Sequence, residues 1–151
     1  MDEQEHFSQL EHMYNSLPLN SMLQCNVKIQ KGKATILLDI KEDFYHAANA
    51  VHGSFYFKVL DDAAFFAVNS LVEEVFVLTT QFNIYLTRPV SKGFIRAEGK
   101  ILNQNKSQYI AESVAYDSEG REIGRGTGMF VKSKIELEKI PGYIEYKNDL
   151  T

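Results

Sequence analysis

From Gly53 to about Leu71 the chain is apolar on nearly every side, broken by Lys58, Asp61, Asp62, Asn69 and Ser70. A helix that presents hydrophobic side chains all round its axis has no face to give to solvent, so other parts of the chain must wrap it. The C-terminal half of the chain supplies the wrapping. After Glu73 and Glu74 the period becomes two: Leu78, Thr80, Phe82, Ile84 and Leu86 fall on one face, Thr79, Gln81, Asn83, Tyr85 and Thr87 on the other, and Arg88-Pro89 ends the run. Three more alternating runs, Phe94 to Leu102, Gln108 to Asp117 and Glu122 to Val131, are separated by turn-forming residues at Asn103 to Ser107 and at Asp117-Ser118-Glu119-Gly120, which suit antiparallel neighbours. Ahead of the helix, Val27 and Ile29, then Lys31-Gly32-Lys33, then Ala34, Ile36, Leu38 and Ile40 read as a hairpin. One buried helix within an antiparallel sheet is an α+β architecture.

The flanks are less informative. Phe7, Leu10, Tyr14 and Leu17 recur at spacings of three and four, which predicts an amphipathic helix over residues 3 to 16, ended by Pro18 and covering the domain rather than performing chemistry. Residues 134–151 form a mixed C-terminal tail with no assignable pattern, and residues 1–151 are expected to be one domain. Gly124, Gly126 and Gly128 share a strand face, so a bulky group must approach that face; the helix carrying Phe55, Phe57, Phe65 and Phe66 is the expected one.

A formal charge of -4 and a pI near 5.6 give no broad electrostatic footprint for nucleic acid or an anionic membrane, which leaves a small molecule or another protein as partner. The single cysteine, Cys25, has no partner for an internal disulfide, and the acidic start Asp2-Glu3-Gln4-Glu5 is unlike a secretory signal; both point to the cytoplasm. His6, His12, His46 and His52 fall at no familiar zinc spacing, and no metal is expected.

The helix start and one carboxylate carry the candidate chemistry. The first N–H groups of a helix lack intrahelical acceptors, so the amides of Gly53 and Ser54 are placed to stabilise a developing oxyanion. Lys58 and Asp62 stand at i and i+4 and are expected to pair, whereas Asp61 points about 100° away, with Phe57 and Phe65 at its own i−4 and i+4 positions. An apolar setting raises a carboxyl pKa and suits it to act as a general base. On the helix pattern alone, both aspartates are equally well read as structural polar groups.

The segment His52-Gly53-Ser54-Phe55-Tyr56-Phe57-Lys58-Val59-Leu60-Asp61 resembles the His-Gly-Gly segment of PaaI-like thioesterases of the hotdog fold, in which an aspartate lies nine positions after the histidine on a central helix. Similarity continues through Asn69-Ser70, Arg88-Pro89, Gly93 and Asn105-Lys106-Ser107, roughly residues 40 to 133. Three positions depart from the family pattern: His46 stands where the family has asparagine, Asn49 where it has glycine, and Ser54 in place of the second glycine. The resemblance implies a curved antiparallel sheet around one helix, and hydrolysis of an acyl-coenzyme A thioester by Asp61 as nucleophile or base. It further implies Gly53 as oxyanion donor, His52 or Asn49 orienting the loop, and Thr79 as a hydroxyl that positions water, although simple strand propensity also accounts for Thr79. His46 and Ser54 would touch the thioester, and Lys106 and Ser107 the nucleotide end of coenzyme A. Coenzyme A would enter only as part of the substrate. The family pairs the helix start of one subunit with the aspartate of the other, which implies a homodimer and a dimer of dimers. Two alternatives stay open: a hotdog hydratase or dehydratase, for which His46 is an argument, and a non-enzymatic acyl-coenzyme A-binding protein.

Overall fold

A computed structural model describes residues 2–147; Met1 and residues 148–151, the outer ends of the two flanking segments, lie outside the described residues. Helix α1 (Glu3–Ser16) and a short α2 (Pro18–Leu23) precede the hairpin β1 (Cys25–Gln30) and β2 (Lys33–Asp39). The apolar helix is α3 (Gly53–Asn69), and β3 (Val75–Leu86), β4 (Phe94–Gln104), β5 (Tyr109–Tyr116) and β6 (Glu122–Glu136) come after it, ahead of a short α4 (Pro141–Ile144). The six strands form one antiparallel sheet in the order β1-β2-β4-β5-β6-β3.

The helix lies on the middle of this sheet because the floor beneath it is made of small residues. Ala97 and Gly99 of β4 and Ala111, Ser113 and Ala115 of β5 all face inward and are buried. At Gly99 a β-carbon would sit 2.2 Å from the carbonyl oxygen of Ala63, so only glycine lets the helix backbone come this close. Ser113 Oγ donates to the carbonyl of Leu60 at 2.7 Å, which fixes how far α3 is inserted along the sheet. Phe65, Phe66, Leu60, Val59 and Val68 then fill the core between helix and strands.

The three glycines of β6 are occupied differently from expectation. The Phe82 ring, from the neighbouring strand, lies over Gly126 and Gly128, whose β-carbons would meet it at 2.5 and 2.4 Å; Gly124 faces the Tyr85 carbonyl at 2.9 Å. The bulky group is thus chiefly a cross-strand phenylalanine rather than the helix, although Phe57 of α3 packs edge-on against Phe82 at 5.6 Å.

The expected alternation of β3 also fails at one place. Thr79 pairs with Phe130 and Gln81 with the next residue, Met129, so Thr80 is an extra residue on β3, its hydroxyl bonded to the Met129 carbonyl at 3.1 Å. A bulge of this kind shifts the side-chain alternation by one. Val77 and Thr79 face inward before it, and Phe82 and Ile84 after it, whereas strict alternation set Thr79 and Phe82 on opposite faces.

The two ends of the sheet are treated unequally. Along β1, helix α1 supplies acceptors to the outer edge: Glu11 takes the Ile29 N–H at 2.8 Å and Asn15 the Val27 N–H at 3.4 Å. Edge strands left bare invite pairing with another chain, and α1 prevents that here. At the other end β3, twelve residues long, has only β6 beside it, and it exposes Leu78, Tyr85 and Leu86.

The tail acquires a place. Strand β6 extends to Glu136, beyond the expected Val131, and the segment after it turns back so that Leu137 and Tyr143 are buried, with α4 against α1. No helix among the described residues is long and apolar enough to cross a membrane.

Candidate active site

Two adjacent aspartates on α3 meet different environments, and the difference comes from the helix geometry. Asp62 is paired: Lys58 Nζ, one turn earlier, and the Tyr14 hydroxyl both reach its Oδ2 at 2.7 Å. Asp61, rotated about 100° around the axis, turns toward β3, where the Thr79 hydroxyl donates to its Oδ1 at 2.9 Å. The bulge at Thr80 makes this bond possible, since it keeps Thr79 on the inner face. Among the described residues no cation forms a salt bridge with Asp61. Burial is the main force on its carboxyl and raises the pKa from an ordinary 3.8 to about 6; the Thr79 hydrogen bond works against that rise and the negative charge of Asp62 adds to it.

Asp61 and Thr79 border a cavity of about 450 Å³ between α3, β3 and α1. Its walls include Phe65, Phe66, Phe76 and Leu78, together with Met13 and Leu17 from the N-terminal helical segment. The chamber is mainly hydrocarbon, with Tyr14, Asn20, Lys58, Asp61, Asp62 and Thr79 as its polar lining, the usual form of a small-molecule site.

The start of α3 is a second, separate site. His52 is the N-cap: its Nδ1 accepts the Ser54 N–H at 3.1 Å and contacts Ser54 Oγ at 2.8 Å, and its carbonyl accepts the Phe55 N–H. The Ser54 amide is thus used within the loop, which leaves Gly53 N–H as the donor available at the helix start. Before it, residues 46 to 50 form a tight turn in which His46 N–H bonds the Ala50 carbonyl and His46 Nδ1 accepts the Ala48 N–H. Asn49 has φ 62, a left-handed conformation in which asparagine is the best replacement for glycine, so the departure from the family pattern at this position preserves the backbone. His46, Gly53, Tyr56, Leu86 and Arg88 line a cavity of about 290 Å³, and the Tyr56 hydroxyl fixes the Arg88 carbonyl at 2.8 Å.

Within one chain the structure thus joins Asp61 to Thr79 and His52 to Ser54, and it gathers His46 with Gly53, but it does not bring Asp61 to Gly53. The eight residue steps from one to the other amount to about 12 Å of helix, and neither residue lines the other's cavity. Lys106 and Ser107 sit in the exposed β4–β5 turn, where Asn105 Oδ1 accepts the Ser107 N–H at 3.0 Å; they border neither cavity, whereas Arg88 does. The spacing of apolar residues in α1 places Tyr14 on its buried face but gives no sign of the bond to Asp62, because contacts between distant segments leave no periodic trace.

Among known proteins, the family model described as "Thioesterase superfamily" matches residues 48–123, about half the chain. A Saccharolobus solfataricus protein named "Putative esterase SSO2140" is 21% identical over 114 residues, which cover 74% of this chain and 81% of that protein. The structure of the E. coli PaaI protein from the phenylacetic acid degradation operon superposes with a TM-score of 0.81 at 15% identity, covering 89% of this chain and 97% of the other. A thioesterase family protein from Silicibacter pomeroyi gives 0.78 at 19% identity, covering 83% and 96%. The six-stranded sheet around one helix is therefore the hotdog fold. Asn49, His52, Gly53, Asp61 and Thr79 lie inside the matched segment; Met13, Tyr14 and Leu17 lie outside it.

Proposed function

This chain belongs to the thioesterase superfamily, and on that footing we propose that it hydrolyses an acyl-coenzyme A thioester, with Asp61 as the general base. The observation that carries this reading is the Asp61 carboxyl: half-buried, without a salt bridge to any cation among the described residues, oriented by Thr79 and facing a mainly apolar cavity. Water held between Thr79 and Asp61 loses a proton to the carboxylate as its oxygen attacks the thioester carbonyl. The oxyanion that forms needs a donor, for which the Gly53 N–H at the positive end of α3 is suited. When the tetrahedral intermediate collapses, the C–S bond breaks and Asp61 returns the proton to the departing thiolate, so that acid and thiol leave and the carboxylate is restored.

Because Asp61 and Gly53 are about two helical turns apart, the reading requires two protomers, each lending its Gly53 to the other's Asp61. The bare edge of β3 supports this. It carries Leu78 from the Asp61 cavity and Leu86 from the Gly53 cavity on one strand, so pairing two β3 edges antiparallel would bring unlike cavities together. Arg88, which lines the same cavity as Gly53, is then a cation suited to the phosphates of the incoming coenzyme A.

Thiol release as a function of pH tests the role of Asp61. Only the ionised carboxylate is a base, so kcat/KM should rise with pH through about 6 and level off above it. Thr79→Val removes a hydrogen bond that favours the charged form, and should move this inflection to higher pH. A rate independent of pH from about 4.5 to 8 would remove Asp61 as the base.

A further inference from the structure

The cavity beside Asp61 has walls of two origins. Phe65, Phe76 and Leu78 belong to the segment matched by the family, whereas Met13, Leu17 and Ile140 come from α1, its C-terminal boundary and the residue just before α4, all outside that segment. These outer pieces are held firmly. His6, fully buried on α1, contacts the Asn69 carbonyl at the end of α3 through Nε2 at 2.9 Å, and the Tyr143 hydroxyl through Nδ1 at 2.7 Å, joining helix, core and tail at one point. Tyr14 packs edge-on against Phe66 at 5.2 Å while its hydroxyl holds Asp62, and Lys58 lies over its ring.

The polar groups on the cavity wall are also accounted for. Asp62 is taken by Lys58 and Tyr14, and Asn20 donates to the Tyr14 carbonyl at 2.9 Å while its Oδ1 faces Cys25 Sγ at 3.5 Å. Apart from Asp61 and Thr79, the polar side chains of this wall are bonded within the protein, so it offers an entering group chiefly hydrocarbon contact. A site of this type discriminates by shape, and it imposes a desolvation penalty on a polar acyl tail.

We infer that α1 and the returning C-terminal segment form the acyl-selecting wall of the active site, with Leu17 and Ile140 as the residues that limit acyl length, and that the preferred acyl group is an uncharged, unhydroxylated hydrocarbon chain or ring. The inference rests on the thioesterase reading for its substrate, but it concerns different residues and has a separate readout.

The test is a graded series of straight-chain acyl-coenzyme A thioesters, with phenyl-bearing, ω-hydroxy and ω-carboxy members, assayed for thiol release and, as non-hydrolysable thioethers, for binding by calorimetry. Leu17→Trp fills the cavity and should lower the ratio of kcat/KM for the longest accepted chain over a short one by about tenfold or more. Ile140→Ala removes wall and should move the optimum toward longer chains, with the thioether Kd values following in both variants. Length profiles that stay the same in both variants would overturn the inference, as would ω-carboxy substrates cleaved as well as plain ones, or thioethers that bind without regard to length. Length-dependent thioether binding with no thiol release from any member would sink the thioesterase reading and leave the wall standing.

Discussion

Asp61→Asn is expected to lower thiol release by about 10³-fold, the loss that accompanies removal of a positioned general base, and at the same time to make the protein more stable above pH 6. The two effects have one cause. The folded-state pKa of Asp61, about 6, lies above the ordinary 3.8. A carboxyl raised in this way contributes stability below about pH 4 that is lost as pH rises through about 6, because the folded state then holds a half-buried charge that the unfolded chain would solvate more fully. Asparagine keeps the shape and an oxygen for the Thr79 hydroxyl but carries no charge. At pH 8 the variant should gain about 2 kcal/mol in denaturant unfolding, less than the about 3 kcal/mol of the full shift because the carboxyl is partly solvated, and the gain should vanish near pH 4. Replacing Asp62 should show the opposite sign, since removing it strands Lys58 and the Tyr14 hydroxyl.

Gly53→Pro is expected to reduce kcat by about 10²- to 10³-fold while leaving the fold in place. Proline lacks the N–H that is proposed to meet the oxyanion, and removal of one such donor typically has this effect. The first position of a helix tolerates proline, and the preceding residue must be extended; His52, at φ -62 and ψ 140, already is. A β-carbon at residue 53 would meet only Leu86 Cδ1 at 2.9 Å, the end of a flexible side chain. Circular dichroism and gel filtration establish that the variant is folded and assembled, and KM should change less than kcat, since the donor acts on charge that develops in the transition state. Activity near that of the natural protein would transfer the oxyanion role elsewhere.

Much of this molecule could be read from residue spacing. The all-round apolar helix and the period-two strands are local patterns, and so is the contrast between Asp62, four residues after Lys58, and Asp61, flanked at that distance by phenylalanines. What could not be read depends on which distant residues become neighbours. The bulge at Thr80 exists only through pairing with Met129 of β6, and without it Thr79 would face away from Asp61. Phe82, rather than α3, covers Gly126 and Gly128 for the same reason: strand register decides it. The tail looked patternless because its buried residues answer to distant segments: the Tyr143 hydroxyl to His6 of α1, and the Leu137 N–H to the Glu74 carbonyl ahead of β3. The positive φ of Asn49 explains afterwards a substitution that, as sequence, was only a departure from the family pattern.

The shared site can be tested by mixing the two disabled subunits. An Asp61→Asn protomer keeps its Gly53 and a Gly53→Pro protomer keeps its Asp61, so a heterodimer would contain one complete site and one doubly defective one. Statistical exchange makes half of the dimers mixed, and about a quarter of the natural activity should return. If instead the mixture, shown by mass to contain heterodimers, stays at the level of its inactive parents, Asp61 and Gly53 do not act together across two chains.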